Sequence, residues 1–169
     1  MVVSKLETTP DPESLFREAE LAEESGNLRE AFESLSAAAR MGHVGSQLNL
    51  GNYFAWGRGV KRNLKRAAFW YTKAYRQGDS TAAQNLAIDR LSQGKIRSAV
   101  AWFKKAIAMN NGEACVALAK VYRARKGGQK ASEELLRRAV KLSRDDISES
   151  ARDEARSLLE RSSKRRGRP

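Results

Sequence analysis

The feature that most constrains this chain is a sequence pattern that repeats along it. One copy begins at Gly42, a second at Gly78 and a looser third at Asn110, so the starts lie 36 and then 32 residues apart. This period is typical of units made of two helices joined by a turn. Because one such unit cannot bury its apolar face alone, the copies have to stack against one another. The sequence therefore predicts an all-α helical repeat.

Apolar residues at helical spacing, separated by turn-forming residues, predict four helix pairs and a closing helix. No proline interrupts them, since the three prolines are Pro10, Pro12 and Pro169. The predicted helices run over residues 15–22, 28–38, 44–56, 64–77, 80–92, 96–109, 113–125, 131–142 and 147 to about 161. We expect a flexible lead-in over residues 1–13, one repeat domain over residues 14–161 and a basic disordered tail over residues 162–169.

Small residues recur at matching positions of the predicted helices. The second helices align Ala38, Ala74, Ala106 and Ala139, and the first helices align Gly51, Ala87 and Ala119. Small residues let paired helices approach closely, and large neighbours fill the holes between them. These positions are interpreted as packing positions, and so are the recurrent aromatics Trp70, Tyr71, Trp102 and Phe103, which could otherwise be imagined as platforms for stacked bases.

Three successive motifs in the first copy carry a family resemblance. They are Gln-Leu-Asn-Leu-Gly at 47–51, Gly-Arg-Gly-Val at 57–60 and Ala-Phe-Trp-Tyr-Thr-Lys-Ala at 68–74. This succession resembles the Sel1-like repeat family, which is related to the tetratricopeptide repeats, and the resemblance covers roughly residues 14–142. The second copy keeps Trp102, Phe103 and Lys105 but lacks the long loop, so it is more similar to a plain tetratricopeptide unit.

The resemblance implies a right-handed α-solenoid of about four helix-turn-helix repeats plus a C-terminal capping helix, with the first helices lining a concave groove. Proteins of this family act as scaffolds, adaptors and regulators, and some are immunity proteins that neutralise a secreted toxin. The family has no catalytic residues to carry over. The sequence also lacks a Ser-His-acid set, a phosphate-binding glycine-rich turn and an obvious pair of catalytic carboxylates, so we do not expect an enzyme.

The only histidine, His43, and the only cysteine, Cys115, have no partner residues in a metal-binding pattern, so we predict no metal and no cofactor. His43 is interpreted as a surface or helix-capping residue and Cys115 as a buried core residue. A single cysteine excludes an internal disulfide and gives no support for an oxidising compartment. No secretory signal and no apolar run of roughly 18–20 residues is present, so we expect a soluble, cytoplasmic protein without membrane contact.

The net charge of +12 is unevenly distributed: residues 1–40 carry −5, residues 41–110 carry +10 and residues 111–169 carry +7. This asymmetry favours an acidic partner, either nucleic acid or a negatively charged protein. The densest cluster in the predicted fold comprises Arg58, Lys61, Arg62, Lys65 and Arg66. Cations at the start of a helix oppose its dipole, so folding alone does not favour them there.

Helical phase and the basic cluster at 58–66 together predict which residues meet a partner. The predicted partner-binding residues are Asn52, Tyr53, Trp56, Arg58, Arg62, Gln84, Ile88, Leu91, Lys120 and Arg123. Ile88 and Leu91 are apolar where a solvated groove would be polar, and Lys120 and Arg123 lie beside them, which favours an acidic and apolar peptide or helix as the ligand. Trp56 is either an exposed anchor for a partner or a plug for the loop at 57–60.

The leading hypothesis is a non-enzymatic protein-interaction module that captures an acidic, apolar segment of a partner protein in its groove. It would act as an adaptor, scaffold or inhibitor, and specific versions are a bacterial immunity protein and a secretion adaptor. The alternative, from another functional class, is a nucleic-acid-binding accessory protein that uses the basic body and tail. Salt distinguishes the two, because phosphate-dominated binding falls by orders of magnitude across moderate salt.

Overall fold

A computed structural model describes residues 10–166 of the chain, with side chains described as far as Lys164. The described residues contain helices and turns but no strand. In order, the helices are α1 Pro12–Glu24, α2 Leu28–Arg40, α3 Val44–Trp56, α4 Leu64–Arg76, α5 Ser80–Ser92, α6 Ile96–Ala108, α7 Gly112–Arg123, α8 Gln129–Lys141 and α9 Glu149–Arg166. The prediction of an all-α chain built from helix pairs is confirmed.

The local sequence explains where most of these helices begin. A helix leaves its first backbone N–H groups without partners, and a short polar side chain just before it can accept from them. Six helices have such a cap, formed by Asp11, Asn27, His43, Asn63, Asp79 and Asn111. The predicted bounds of α3 and α5 agree at both ends with the structure, and those of α4 and α6–α8 agree within two residues.

The first helix begins earlier, and the last helix ends later, than the predicted bounds. Asp11 accepts from the backbone N–H groups of Glu13 and Ser14, so α1 begins at Pro12, inside the predicted lead-in. At the other end α9 continues to Arg166, so residues 162–166 are helical where we predicted a disordered tail. Residues 1–9 and 167–169, the rest of the predicted lead-in and tail, lie outside the described residues.

The chain divides into two compact units between Gln77 and Gly78. The first unit contains α1–α4, in which α1 packs against α2, α2 against α3 and α3 against α4. In the second unit α5–α8 also pack in sequence order, and α9 packs against both α7 and α8. The boundary lies inside the predicted repeat domain, whose extent over residues 14–161 stays a prediction.

The core of each unit uses the predicted packing positions. In the first unit Ala31, Leu35 and Tyr53 belong to a buried cluster that Phe16 and Phe32 flank. In the second unit the large buried side chains are Leu86, Phe103, Leu118 and Leu136. The aligned alanines, Ala38, Ala74, Ala87, Ala106, Ala119 and Ala139, are all fully buried, and Gly51 is buried too. Their interpretation as packing positions is confirmed.

Candidate partner-binding surfaces

The second unit contains an apolar pocket of about 510 Å³ between α5, α6 and α7. Its lining residues are Ile88, Leu91, Ile96, Phe103, Ala117, Lys120, Val121, Ala124 and Arg125. Ile88 is 37% exposed and Ile96 is 45% exposed, so part of the apolar lining faces solvent. Large aliphatic side chains that are partly exposed to solvent and grouped together are typical of binding surfaces, not of a closed core.

Helix geometry explains how these residues come together. On α5, Leu86 and Ala87 are buried, and the opposite side carries Ile88 and Leu91 one turn apart. On α7 and its C-terminal cap, residues 117, 120, 121 and 124 follow the spacing i, i+3, i+4 and i+7, which places them on one face. Ile96 is the first residue of α6, directly after the turn from α5. The pocket therefore lies where the exposed faces of three consecutive helices meet.

Two of the predicted partner-binding cations also hold the last helix in place. The Lys120 ammonium forms an ion pair with the Glu154 carboxylate of α9. Arg123 Nη1 donates a hydrogen bond to the backbone oxygen of Leu158, also in α9, at 3.1 Å. Lys120 lines the pocket, and exposed Arg125, which follows the C-cap of α7, adds a second cation to the lining.

The structure places the predicted residues of the second unit as follows. Ile88, Leu91 and Lys120 line the pocket together. Gln84 is half-buried one turn before Ile88 on α5, and Arg123 is half-buried beside α9. The predicted set of partner-binding residues did not include Ile96, at the start of α6, or Arg125, just after α7, where helical phase gives little guidance. It also lacked Phe103, Ala117 and Val121, which lie within α6 and α7. One sequence feature could have indicated the role of Ile96: it is a large apolar residue directly after the turn Gly94-Lys95.

The first unit exposes a large aromatic side chain at the end of α3. Trp56 is the last residue of α3, and its side chain is 72% exposed. The ring is therefore accessible to solvent and does not plug the loop at 57–60. Its role as an anchor for a partner stays a prediction. A large exposed tryptophan is a typical centre of a binding hot spot.

Tyr53 is not available to a partner, so its assignment as a partner-binding residue was wrong. The side chain is fully buried, and its ring lies 6.1 Å from the Phe32 ring between centroids. Tyr53 follows buried Leu50 by three residues, which puts it on the packed face of α3. Burial raises the pKa of the Tyr53 hydroxyl well above its ordinary value, and the neighbouring Glu23 carboxylate adds to that shift. Tyr53 is a core residue.

The other three predicted residues of the first unit have structural partners. Asn52 Oδ1 accepts a hydrogen bond from the Tyr71 hydroxyl at 2.8 Å, which ties α3 to α4. Arg58 Nη2 lies 3.6 Å from Glu23 Oε2. Arg62 Nε donates to the backbone oxygen of Ala55 at 2.9 Å, so this side chain fastens the loop before α4 to the end of α3. Arg58 and Arg62 nevertheless keep exposed surface.

His43 and Cys115 take the structural roles that we predicted. His43 Nδ1 accepts from the backbone N–H of Ser46 at 3.2 Å, and the ring packs against Phe16. Cys115 is buried, and burial raises the pKa of its thiol. Within residues 10–166 no group of three or more His, Cys, Asp or Glu side chains is arranged to hold a metal ion. In the same part of the chain no helix combines the length and apolar character needed to cross a membrane.

Comparisons with known proteins agree with this architecture. The family model of the Sel1 repeat matches residues 44–79 and 82–111. A Sel1 repeat protein from Oxalobacter formigenes has a similar structure, with a TM-score of 0.70, 16% identity, and coverage of 98% of this chain and 77% of that chain. No curated protein matches the sequence.

Two further solved structures share the fold. One is a protective antigen of uropathogenic Escherichia coli strains that displays an SLR fold, with a TM-score of 0.71 and 17% identity. The similarity covers 89% of this chain but 34% of that one, so this chain spans about a third of the antigen's length. The other is MamA, with a TM-score of 0.57, 17% identity, and coverage of 88% of this chain and 94% of that chain. At these identities the similarity shows the helical-repeat fold alone.

Proposed function

We propose, since residues 44–79 and 82–111 match the Sel1 repeat and the fold is a helical repeat, that the chain works as a non-enzymatic protein-interaction module. Repeats of this kind stack into extended surfaces, and such surfaces generally serve to bind partner proteins. The finer proposal is that the chain captures an acidic, apolar segment of its partner.

The observation that carries this proposal is the apolar pocket of the second unit. Its exposed wall residues Ile88 and Ile96 stand beside Phe103, Val121 and Leu91, all contributed by three rigid helices. A partner that inserts aliphatic or aromatic side chains would remove this apolar surface from water, which gains about 25 cal/mol per Å² of area buried. Apolar side chains on the partner segment are therefore the main source of affinity.

The charges around the pocket select the rest of the ligand. Lys120 and Arg125 both line it, and residues 111–169 carry sixteen Lys and Arg against nine Asp and Glu. Acidic residues on the ligand would pair with exposed Arg125, while Lys120, which Glu154 already pairs, adds to the positive potential nearby. Such charge complementarity raises the association rate and fixes orientation more than it adds affinity. An amphipathic helix with apolar anchors and flanking carboxylates fits both requirements.

Peptide selection tests the proposal directly. A random-peptide display library selected against the whole chain should yield acidic sequences with apolar residues spaced three or four apart. Ile88→Glu should weaken the selected peptides by at least about 10-fold, because it places a charge in the apolar wall. Leu21→Glu is the matched control, since Leu21 is an exposed apolar residue of the first unit. Selection of basic peptides, or equal binding by both variants, would contradict the proposal.

Adaptor and immunity-protein roles are the specific versions of this function, and they need the natural partner. A pull-down from source lysate with nuclease added should retain one stoichiometric protein on the unaltered chain. We propose Trp56 as a second anchor, so Trp56→Ala should reduce that protein while leaving the fold unchanged, because the ring is mostly exposed. If nuclease removes all bound material, the interaction proceeds through nucleic acid and the adaptor proposal fails.

A further inference from the structure

The outer side of α4 combines four cations with an exposed aromatic ring. We call this set the α4 basic face; it comprises Lys65, Arg66, Phe69, Lys73 and Arg76. At about 100° per residue these five side chains lie within roughly 100° of one another, away from the side that buries Ala67, Tyr71 and Ala74. The sequence of α4 contains no acidic residue. The result is a uniformly positive face around an aromatic centre.

Two of the four cations of this face, Arg66 and Lys73, lie close to aromatic rings. Phe69 is 53% exposed, and Lys73 Nζ lies 5.1 Å from the centroid of its ring. The same ammonium lies 5.2 Å from the Trp70 centroid, and the Arg66 guanidinium lies 5.4 Å from the Phe54 centroid. Such cation–π contacts restrict long side chains that would otherwise sample many rotamers. The α4 basic face is therefore more organised than a set of freely mobile surface lysines.

Folding does not require this arrangement, as the next repeat shows. In α6 the residues that match Lys65, Arg66, Phe69, Lys73 and Arg76 are Arg97, Ser98, Ala101, Lys105 and Ala108. Helix α6 keeps the same buried positions, with Ala99, Phe103 and Ala106 in place of their α4 counterparts. It thus packs in the same way without the exposed aromatic ring and with half the cations.

The start of α4 gives the same indication. Lys65 and Arg66 lie in its first turn, which contains no acidic residue. Cations there oppose the helix dipole, and each one lowers the stability of the helix by about 0.3 kcal/mol or more. Binding of an anionic ligand would explain why Lys65 and Arg66 stand where helix stability disfavours positive charge.

We propose that the α4 basic face binds single-stranded nucleic acid. Its cations would pair with successive phosphates along a helix face about 17 Å long between Lys65 and Arg76. Phe69, which has a cation one turn away on either side, would stack on an unpaired base. This combination of a positive track with an aromatic platform is how proteins hold single strands without reading their sequence. The site is separate from the apolar pocket and does not depend on the function proposed for it.

Two features favour a single strand over other anionic partners. Duplex bases are stacked on each other and leave no face for Phe69, so a duplex would use only the cations. A helix that lies on an anionic membrane needs a wide apolar face to insert. The apolar side of α4, with Ala67, Tyr71 and Ala74, is buried in the first unit instead.

The test uses the whole chain and a fluorescein-labelled oligothymidine of about 16 nucleotides, with binding followed by fluorescence anisotropy. Titrations between about 50 and 200 mM salt give the slope of log K against log salt, which changes by about 0.7 for each phosphate contact on a single strand. Lys65→Gln/Arg76→Gln should therefore reduce the slope by about 1.4. The charge-matched control on α6, Arg97→Gln/Lys104→Gln, should leave it unchanged.

Phe69 separates stacking from charge. Phe69→Ala should weaken the oligothymidine by about 5- to 150-fold and leave the salt slope unaltered, because the ring contacts a base and no phosphate. Phe69→Trp should retain the affinity, and a duplex of equal length should respond to neither change. The proposal is overturned if oligothymidine does not bind at the lowest salt, or if the α6 control loses as much slope as the α4 variant. Binding to phosphatidylserine vesicles that depends on Phe69 while oligothymidine does not bind would also overturn it.

Discussion

Gly51 sets how closely α3 approaches α4. A methyl group at this position would overlap the ring of Tyr71. That ring cannot easily move away, because Tyr71 is buried and its hydroxyl is bound to Asn52. The small residue predicted from the repeat alignment is therefore needed for a specific contact and not only for its helical position.

Gly51→Ala should lower the free energy of unfolding by about 1–3 kcal/mol, the usual cost of adding a group to a filled core. The change is measured by urea denaturation followed by circular dichroism. Gly45→Ala in the same helix is the control, since the added methyl would only touch the edges of His43 and Phe16. Because alanine favours the helix, this control should be neutral or stabilising. Equal effects at both positions would show that the Tyr71 contact is unimportant.

Tyr53 gives a second prediction at this scale, through pH. Its pKa is raised in the folded protein, and the ordinary value is near 10. Above that pH Tyr53 ionises in the unfolded chain but stays protonated in the folded chain. The free energy of unfolding is therefore unaffected by this residue below about pH 10 and decreases as the pH rises further. The unaltered protein should therefore lose stability faster than Tyr53→Phe between pH 9 and 11, measured by urea denaturation. Parallel curves would mean that the hydroxyl is accessible to water.

At the scale of helices, the sequence predicts interiors better than ends. Helix α3 was predicted at both ends because His43 and Gly57 flank a continuous apolar pattern. The end of α9 was not predicted, because its last turns are stabilised by tertiary contact: Gln129 Nε2 of α8 donates to Ser162 Oγ at 3.2 Å. A local pattern contains no information about such a contact.

The candidate site shows the same division. Helical phase identified Ile88, Leu91 and Lys120, which lie on regular helices, and all three line the pocket. It did not identify Ile96 or Arg125, which lie at helix ends and whose placement depends on how neighbouring helices meet. Ala117 and Val121 share the face of Lys120 on α7, so helical phase could have identified them. Tyr53 was assigned wrongly because Leu50 and Phe54 were expected to complete the packed face of α3, and Tyr53 belongs to that face as well.

The extension of α9 can be tested with a buried charge. Ser162 is 3% exposed, so Ser162→Asp should destabilise the protein by about 1–3 kcal/mol. Ser163→Asp is the matched control, because Ser163 is exposed on the same helix and should change stability by less than about 0.5 kcal/mol. Thermal and urea unfolding measure both. If the tail were disordered in solution, neither substitution would have an effect.

At the scale of the whole molecule, the large net positive charge affects stability most directly. The chain carries +12, and residues 41–110 contain twelve Lys and Arg against two Asp and Glu. Like charges at this density repel one another in the compact state, and that repulsion opposes folding. Both proposed surfaces therefore exist at some cost in stability, which added salt can relieve.

The melting temperature should rise as sodium chloride is increased from about 20 mM to about 500 mM, because the screening length falls from tens of ångströms to a few. Lys65→Gln/Arg76→Gln removes two positive charges and should flatten this dependence. Sucrose, which stabilises proteins without screening charge, provides the control for general solvent effects. A melting temperature that is constant or falls with salt would show that attractive ion pairs outweigh repulsion in this chain.

The attachment of α9 to α7 has a practical consequence for finding partners. A bait that ended at residue 142 would lack Glu154 and Leu158, and it would present Lys120 and Arg123 with their attachments removed. It would also uncover the sides of α7 and α8 that α9 covers. Such a bait should retain acidic proteins that the complete chain ignores, so a shortened clone would enlarge the list of interactors with false ones.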